Sequence, residues 1–280
     1  MRAKSSFQEH QVVIEPSRGW SALGLRNLWE YRELVFLMLK REIQGRYRQT
    51  ALGMSWLFLR PILNTVVLSL TFGMLLNVPS DGVPYPLFSL AAQLPWGFFS
   101  NAASRSAYSL VENQHVISKV YFPRLVIPIA GVFSGLVDLG ASFLVLLAAL
   151  LLYQMPLRWQ MLWLPGFLLV AMAFALGVGL WLATLAARYR DVSFAVGFLL
   201  QVLMYLSPVI YPVSVIPEQL QTLYHLNPMT GVIQGFRWAL LGSGDPPGGW
   251  FFLGMGVIAI LLVSGAYVFR RTERSIVDII

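Results

Sequence analysis

The sequence predicts an all-α integral membrane protein with six transmembrane helices, an N-terminal amphipathic interface helix and a re-entrant outer helical hairpin. Three observations predict this class. Long apolar stretches recur between residues 57 and 269, the mean hydropathy is +0.65, and only 12% of the 280 residues are charged. A helix needs about 20 mostly apolar residues to cross a bilayer, and soluble domains carry about twice this share of charge.

Six stretches approach or exceed the length of a membrane span. They are Leu57–Leu76, Leu87–Val111, Leu125–Leu152, Met161–Ala187, Phe194–Tyr211 and Trp250–Phe269. The stretch Leu87–Val111 is less apolar than the others because it contains serines, Gln93, Asn101 and Arg105. We therefore expect it to be screened from lipid on at least one side.

The basic residues predict the orientation of these spans. Apart from Arg158 and Arg237, every Lys and Arg lies in the N-terminal part, in two loops around residues 105–124 and 188–191, or in the C-terminal tail. Because cytoplasmic segments are enriched in Lys and Arg, both termini are predicted to be cytoplasmic. Residues 1–28 form a polar N-terminal extension without the apolar core of a signal peptide.

Residues 29–50 predict an amphipathic interface helix. Apolar and polar residues each repeat at four-residue spacing, which places them in two stripes: Val35, Leu39, Ile43 and Tyr47 in one, and Lys40, Gln44 and Arg48 in the other. Such a helix either anchors the chain on anionic lipid or forms the rim of a cytoplasmic entrance. Gly53 is expected to break the helix before the first span.

Residues 212–249 predict two helices too short to cross the membrane. The first is expected to be capped by Ser214 and to run from near Pro217 to about Leu226. Asn227 and Pro228 then mark the start of the second helix, which ends at Gly242. Its apolar face contains Val232, Ile233, Phe236 and Leu240. The pair either dips back into the membrane and closes a pathway, or packs as a loop on the outer surface.

Five blocks in a fixed order resemble the permease subunit of ABC-2 type polysaccharide exporters, the group that handles O-antigen, teichoic acid and capsule. They are Leu52–Trp56 followed by Arg60-Pro61, Val116–Arg124, Ala187–Val192, Ser207–Pro212, and Leu226–Thr230 followed by Arg237 and Leu240–Gly242. The resemblance extends from about Trp29 to the C-terminus.

The resemblance implies a homodimer in the bacterial inner membrane that exports a lipid-linked polysaccharide, with an ABC ATPase subunit under each half. Residues 51–280 would form the six-span domain and residues 212–249 the outer gate, with Pro217, Asn227, Pro228, Val232, Ile233 and Phe236. Residues 110–118 would form the coupling helix, which contacts the ATPase through Glu112, Asn113, Gln114 and His115. A solvated loop histidine is the alternative for His115.

The residue inventory predicts that this chain is not an enzyme. No lysine follows a Gly-x-x-x-x-Gly pattern, so ATP and Mg²⁺ are expected to bind the partner subunit and no cofactor to bind this chain. Cysteine is absent, and no carboxylate pair or His cluster suits acid–base chemistry or a metal. A membrane glycosyltransferase or acyltransferase would therefore lack its reactive groups.

Three groups of residues are candidates for contacts with the substrate or with protons. Arg46, Arg48 and Arg60 suit a lipid pyrophosphate at the entrance, or simply mark the cytoplasmic side. Aromatic side chains either line the channel or pack in the core: Phe72, Phe88, Trp96, Phe98, Phe99 and Tyr205. Asp138 lies within a span, where it makes a structural hydrogen bond or serves a proton-coupled secondary transporter. That transporter, or an exporter of another amphipathic lipid or drug, is the alternative function.

Overall fold

The computed structural model describes residues 31–47, 51–120, 122–244 and 246–273, and these residues form helices and connecting turns without a β-strand. The α-helices are α1 Arg32–Tyr47, α2 Trp56–Leu68, α3 Tyr85–Glu112, α4 Gln114–Ile117, α5 Val126–Leu152, α6 Leu164–Arg188, α7 Arg190–Tyr205, α8 Glu218–Leu226, α9 Pro228–Leu241 and α10 Gly249–Glu273. Short 3₁₀ turns precede α2, α6 and α8, and a π-helical segment, Ser69–Leu75, extends α2.

Within the described ranges, four helices are long and apolar enough to cross a membrane. They are Gly53–Leu75, Val126–Leu152, Trp159–Arg188 and Gly249–Glu273. The prediction of an all-α membrane protein is therefore confirmed. Helix α3 has 28 residues but is more polar, and α7 has only 16, so the count of six spans stays a prediction.

Helix α3 lies at the centre of the molecule. It packs against α5, α6 and α9, and it buries serines as well as apolar side chains, including Ser89, Ser106 and Ser109. The prediction that this less apolar stretch is screened from lipid is confirmed. Its polar composition is tolerated because protein, and not lipid, surrounds most of the helix.

One glycine sets how closely α3 and α6 approach each other. A Cβ atom added to Gly179 would lie 2.3 Å from the Oγ atom of Ser106. The two helices can therefore pack at this distance only with hydrogen in place of a side chain, the arrangement that small residues provide in membrane helix pairs.

Helices α2 and α7 lie at the periphery of the single chain. Helix α2 has no buried residue, and α7 buries only Val196 and Leu200. Phe194 and Phe198 of α7 are 85% and 66% exposed. These apolar faces are free to contact lipid or another protein chain.

Helix α1 packs against α5. Val35, Leu39 and Ile43 of the predicted apolar stripe are half-buried, while Lys40 and Gln44 are exposed as predicted; Arg48 lies outside the described residues. The half-buried face also includes Glu42 and Arg46, which the stripe did not predict. These two charges face the chain because they find partners on α3 and α5.

Candidate functional site

Four charged side chains and one serine from three helices meet in one cluster, which we call the charge cluster. Its members are Glu42 and Arg46 of α1, Arg105 of α3, and Ser134 and Asp138 of α5. Arg46 Nη1 donates to Asp138 Oδ2 at 2.8 Å, and Arg105 Nη2 donates to the same oxygen. Arg105 Nη1 donates to Ser134 Oγ at 2.9 Å, and Ser134 Oγ donates to Glu42 Oε1 at 2.7 Å. The cluster therefore ties α1, α3 and α5 together.

Helical spacing brings these groups together in pairs. Glu42 and Arg46 are four residues apart on α1 and form an ion pair at 3.3 Å, while Ser134 and Asp138 have the same spacing on α5. Side chains four residues apart lie on one helix face, so each helix presents two polar groups to the other. Burial raises the pKa of Glu42, against the lowering effects of the Ser134 hydrogen bond and of the two guanidinium groups.

A cavity of about 160 Å³ lies beside the charge cluster. Its polar lining comes from α1, α3 and the turn after α3, and comprises Arg41, Glu42, Arg105, Ser109, Glu112 and Asn113. Because side chains do not fill this space, close packing does not hold α1 against α3 here.

Two of the three arginines of the predicted entrance lie in the described part of the chain. Arg46 contacts Asp138 and Glu42, so its guanidinium is engaged by carboxylates and is not displayed for a phosphate. Arg60 is exposed on α2, and Arg48 lies outside the described residues. The three-arginine site stays a prediction, with Arg46 bound in the single chain to a carboxylate 92 residues away.

Asp138 makes the hydrogen bonds expected for a structural role, which was one of the two alternatives that the sequence left open. Its oxygen accepts hydrogen bonds from two guanidinium groups, the usual environment of a carboxylate in a membrane helix bundle. Neither Arg105 nor Glu42 is identified as its neighbour by the sequence alone. A basic and an acidic residue in two neighbouring apolar stretches is the signal that would have suggested the pair.

The chain changes direction at the predicted coupling segment, residues 110–118. Helix α3 ends at Glu112, Asn113 interrupts the helix, and α4 follows as one short turn. Leu110 and Ile117 are buried and anchor the segment. Glu112 and His115 are exposed, and Asn113 and Gln114 are half-buried. The geometry leaves two charged or polar side chains open to a partner.

Most of the candidate channel aromatics lie in the core of the single chain. Phe88, Trp96, Phe98 and Phe99 are at most 6% exposed, and the Phe99 ring stacks on Phe174 with centroids 4.6 Å apart. In the single chain these four rings pack in the core, which is the second of the two alternatives that the sequence allowed; a channel-lining role for any of the six aromatics stays a prediction. Helix α3 is surrounded by other helices, so its rings face protein. Phe72 is half-buried and Tyr205 is 51% exposed.

The outer pair of helices forms close to its predicted bounds. Asn227 Oδ1 accepts from the Met229 amide at 3.0 Å and caps α9, and Gly242 ends α9 at a φ of +69°. Pro217 precedes α8 and Pro228 is the first residue of α9. The prediction that Ser214 caps α8 is wrong, because its Oγ donates to Asp81 Oδ1 at 3.0 Å.

The apolar face of α9 is covered within the single chain. Val232 and Ile233 are fully buried and Phe236 is 2% exposed, since α9 packs against α3, α6 and α10. Asn227 Nδ2 also donates to Ser207 Oγ at 2.8 Å, which fixes the start of α9 to the segment after α7. Whether this pair re-enters the membrane stays a prediction.

Arg237 of α9 is a buried cation that the sequence analysis noted only as part of a motif. It is 3% exposed, and its guanidinium carbon lies 3.5 Å from the centroid of the Phe88 ring. Its Nη2 donates to the Val209 carbonyl at 3.1 Å, and its Nε to the Phe88 carbonyl at 3.4 Å. The side chain therefore joins α9 to α3 and to the segment after α7.

Known proteins match the region that contains these sites. The ABC-2 type transporter family matches residues 33–241. The chain is 27% identical over 256 residues to the O-antigen export system permease protein RfbA of Myxococcus xanthus, covering 89% of this chain and 96% of that protein. For a protein of the same name from Klebsiella pneumoniae the identity is 27% over 214 residues, which cover 75% of this chain and 81% of that protein. For the capsule polysaccharide export inner-membrane protein CtrC of Neisseria meningitidis serogroup A it is 27% over 275 residues, covering 90% and 96%.

Proposed function

The chain belongs to the ABC-2 type transporter family, and from this premise we propose that it is the permease subunit of an ATP-driven exporter of a lipid-linked polysaccharide. The observation that carries the proposal is its similarity, over 89% of its length, to a permease named for O-antigen export. A capsule export protein is similar over 90% of the chain. The substrate class is therefore a cell-surface glycan such as O-antigen, carried across the inner membrane on its lipid.

We place six spans in the membrane, with both termini in the cytoplasm. To the four long apolar helices the proposal adds α3, whose 28 residues extend about 42 Å at 1.5 Å per residue. It also adds α7 together with the segment to Tyr211. Helices α8 and α9 have 9 and 14 residues, which is too few to span, so they are assigned to an outer re-entrant hairpin.

We assign a homodimer that encloses the channel. Asn64 of α2 and Gln201 of α7 are exposed, and the residues next to them in the sequence are mostly apolar. An amide facing hydrocarbon without a partner costs at least about 1–3 kcal/mol, so polar residues in spans usually face protein or a water-filled cavity. Contact of the α2 and α7 faces with a second copy and with the channel would satisfy both amides.

Energy is assigned to a separate ABC ATPase that binds ATP and Mg²⁺. The sequence has no P-loop of its own, and the family consists of transmembrane subunits. The segment 110–118 is proposed as the contact with this ATPase, through the exposed side chains of Glu112 and His115. A proton-coupled transporter is not favoured, because Asp138 accepts hydrogen bonds from Arg46 and Arg105.

Deletion of the gene in its native bacterium tests the proposal. We expect surface glycan to be lost and its lipid-linked precursor to accumulate on the cytoplasmic face, as measured by glycan immunoblots of intact and lysed cells. Plasmid-borne permease should restore export only with an ATPase whose P-loop lysine is intact. Unchanged surface glycan in the deletion strain, or export that needs a proton gradient and no ATPase, would refute it.

A further inference from the structure

We propose that Arg105 and Asp138 are positioning residues that fix the interface helix α1 and make its position respond to the turn at Asn113. This inference rests on the proposed function, in which that turn contacts the ATPase. The observation behind it is the charge cluster: one oxygen of Asp138 accepts from Arg46 of α1 and from Arg105 of α3. One carboxylate on α5 therefore sets the relative position of two other helices.

Helix α3 connects the charge cluster to the turn without interruption. Arg105, Ser109 and Glu112 are spaced by four and three residues, so they share one face of α3, and all three line the cavity. Seven residues at 1.5 Å each place Arg105 about 10 Å from Glu112 along the helix axis. A rotation or shift of the end of α3 must therefore move the Arg105 guanidinium.

Ion pairs, and not close packing, hold α1 against α3 at this point. The cavity of about 160 Å³ separates part of α1 from α3, whereas nearer the start of α1 Leu34 and Val35 contact a buried apolar cluster. An ion pair forms only in certain relative orientations of its two groups. If the arginines exchange between the carboxylates of Glu42 and Asp138, α1 therefore takes a small number of defined positions. The cavity provides the space for such a shift.

The charges of the cluster balance, and this balance makes the inference testable. The two negative charges of Glu42 and Asp138 balance the two positive charges of Arg46 and Arg105. Removal of one charge therefore leaves one of the remaining three without a partner of opposite sign. Removal of both Arg105 and Asp138 leaves the Glu42–Arg46 pair, which is neutral. Removing one partner of a partly buried pair leaves the other charge unpaired, whereas removing both is often close to neutral, so the double variant should fold while lacking the ion pair between α3 and α5.

The first experiment measures the position of α1 directly, with no glycan or ATPase. The sequence has no cysteine, so spin labels can be placed at the exposed Leu37 of α1 and Leu144 of α5 in Leu37→Cys/Leu144→Cys protein. We expect one narrow distribution of the distance between the two labels in this background. The Asp138→Asn or Arg105→Gln substitution in the same background should shift or broaden that distribution. Lys40→Gln is the matched control, since Lys40 is an exposed basic residue of α1 that does not line the cavity. Equal distributions in all variants would overturn the inference.

The second experiment measures glycan exported per ATP hydrolysed, using the permease reconstituted with its ATPase. For Arg105→Gln/Asp138→Asn we expect normal thermal stability and ATPase binding, but export per ATP reduced by about tenfold, within the usual range of coupling between sites. Loss of stability alone would not change this ratio. A wild-type ratio in the double variant would refute the inference. If wild-type protein exports no glycan, the proposed function fails, and the distance measurement still decides whether the cluster positions α1.

Discussion

Replacement of Arg237 by methionine tests the buried cation at the junction of α9, α3 and the segment after α7. Methionine retains an unbranched apolar chain of similar length but removes the guanidinium. The change eliminates donors to the Val209 and Phe88 carbonyls and the contact with the Phe88 ring. We expect α9 to lose its fixed position against α3, and the whole chain to become less stable.

The size of the stability loss in Arg237→Met follows from contributions of opposite sign. A hydrogen bond from a charged group contributes about 1.5–3 kcal/mol, and a desolvated cation–π contact about 2 kcal/mol. Against these stands the cost of burying the guanidinium, which is several kcal/mol. The Phe88 carbonyl lies within a helix, whereas the Val209 carbonyl is in a loop and loses its donor, at a cost of about 1–3 kcal/mol. We expect a net loss of about 2 kcal/mol.

Thermal unfolding in lipid nanodiscs, followed by tryptophan fluorescence, measures this loss. A change of 1 kcal/mol shifts Tm by about 2–4 °C in soluble chains of roughly this size, so Arg237→Met should lower Tm by about 4–8 °C. Arg271→Met removes an exposed arginine near the end of α10 and should leave Tm unchanged. A Tm for Arg237→Met equal to that of wild type would refute the reasoning, because it would mean that the desolvation cost cancels every contact.

Four further substitutions test other features of the molecule. Gly179→Ala should destabilise the chain by about 1–3 kcal/mol through overlap with Ser106, whereas Gly97→Ala, where a Cβ meets no atom within 4 Å, should not; equal melting temperatures would contradict the close α3–α6 contact. Burial lowers the pKa of His225, so the unfolded chain binds the proton more readily, and stability should fall as pH drops below the ordinary histidine range. His225→Phe keeps a ring to stack on Trp250 and should lack this part of the pH dependence in melting curves; an unchanged dependence would exclude His225 as its source. In transporting vesicles, Ile233→Cys should react slowly with a membrane-impermeant thiol reagent and faster during export, while exposed Leu223→Cys should react fast throughout; fast reaction at both sites would remove the gate. If Arg60 binds a lipid pyrophosphate, Arg60→Gln should weaken substrate binding more than Arg60→Lys, and unchanged binding in both would leave it only a topology marker.

Features that depend on short segments of chain could be predicted from the sequence. The apolar stretches predicted a helical membrane protein because crossing a bilayer requires a minimum apolar length. Asn227 and Gly242 predicted the two ends of α9 because capping depends on the terminal residue and its immediate neighbours. The Ser214 cap failed for a tertiary reason, since Asp81, which is distant in sequence, bonds its hydroxyl.

The neighbours of each side chain follow from how the helices pack and could not be predicted from the sequence. Arg46 resembled a phosphate ligand in the sequence, but its partner Asp138 lies 92 residues away, and Arg105 reaches the same carboxylate from a third helix. In the same way, Phe88, Phe98 and Phe99 became core residues because α3 lies between other helices. Composition and spacing fix the faces of a helix, whereas contacts between helices determine which face is buried and which charges pair.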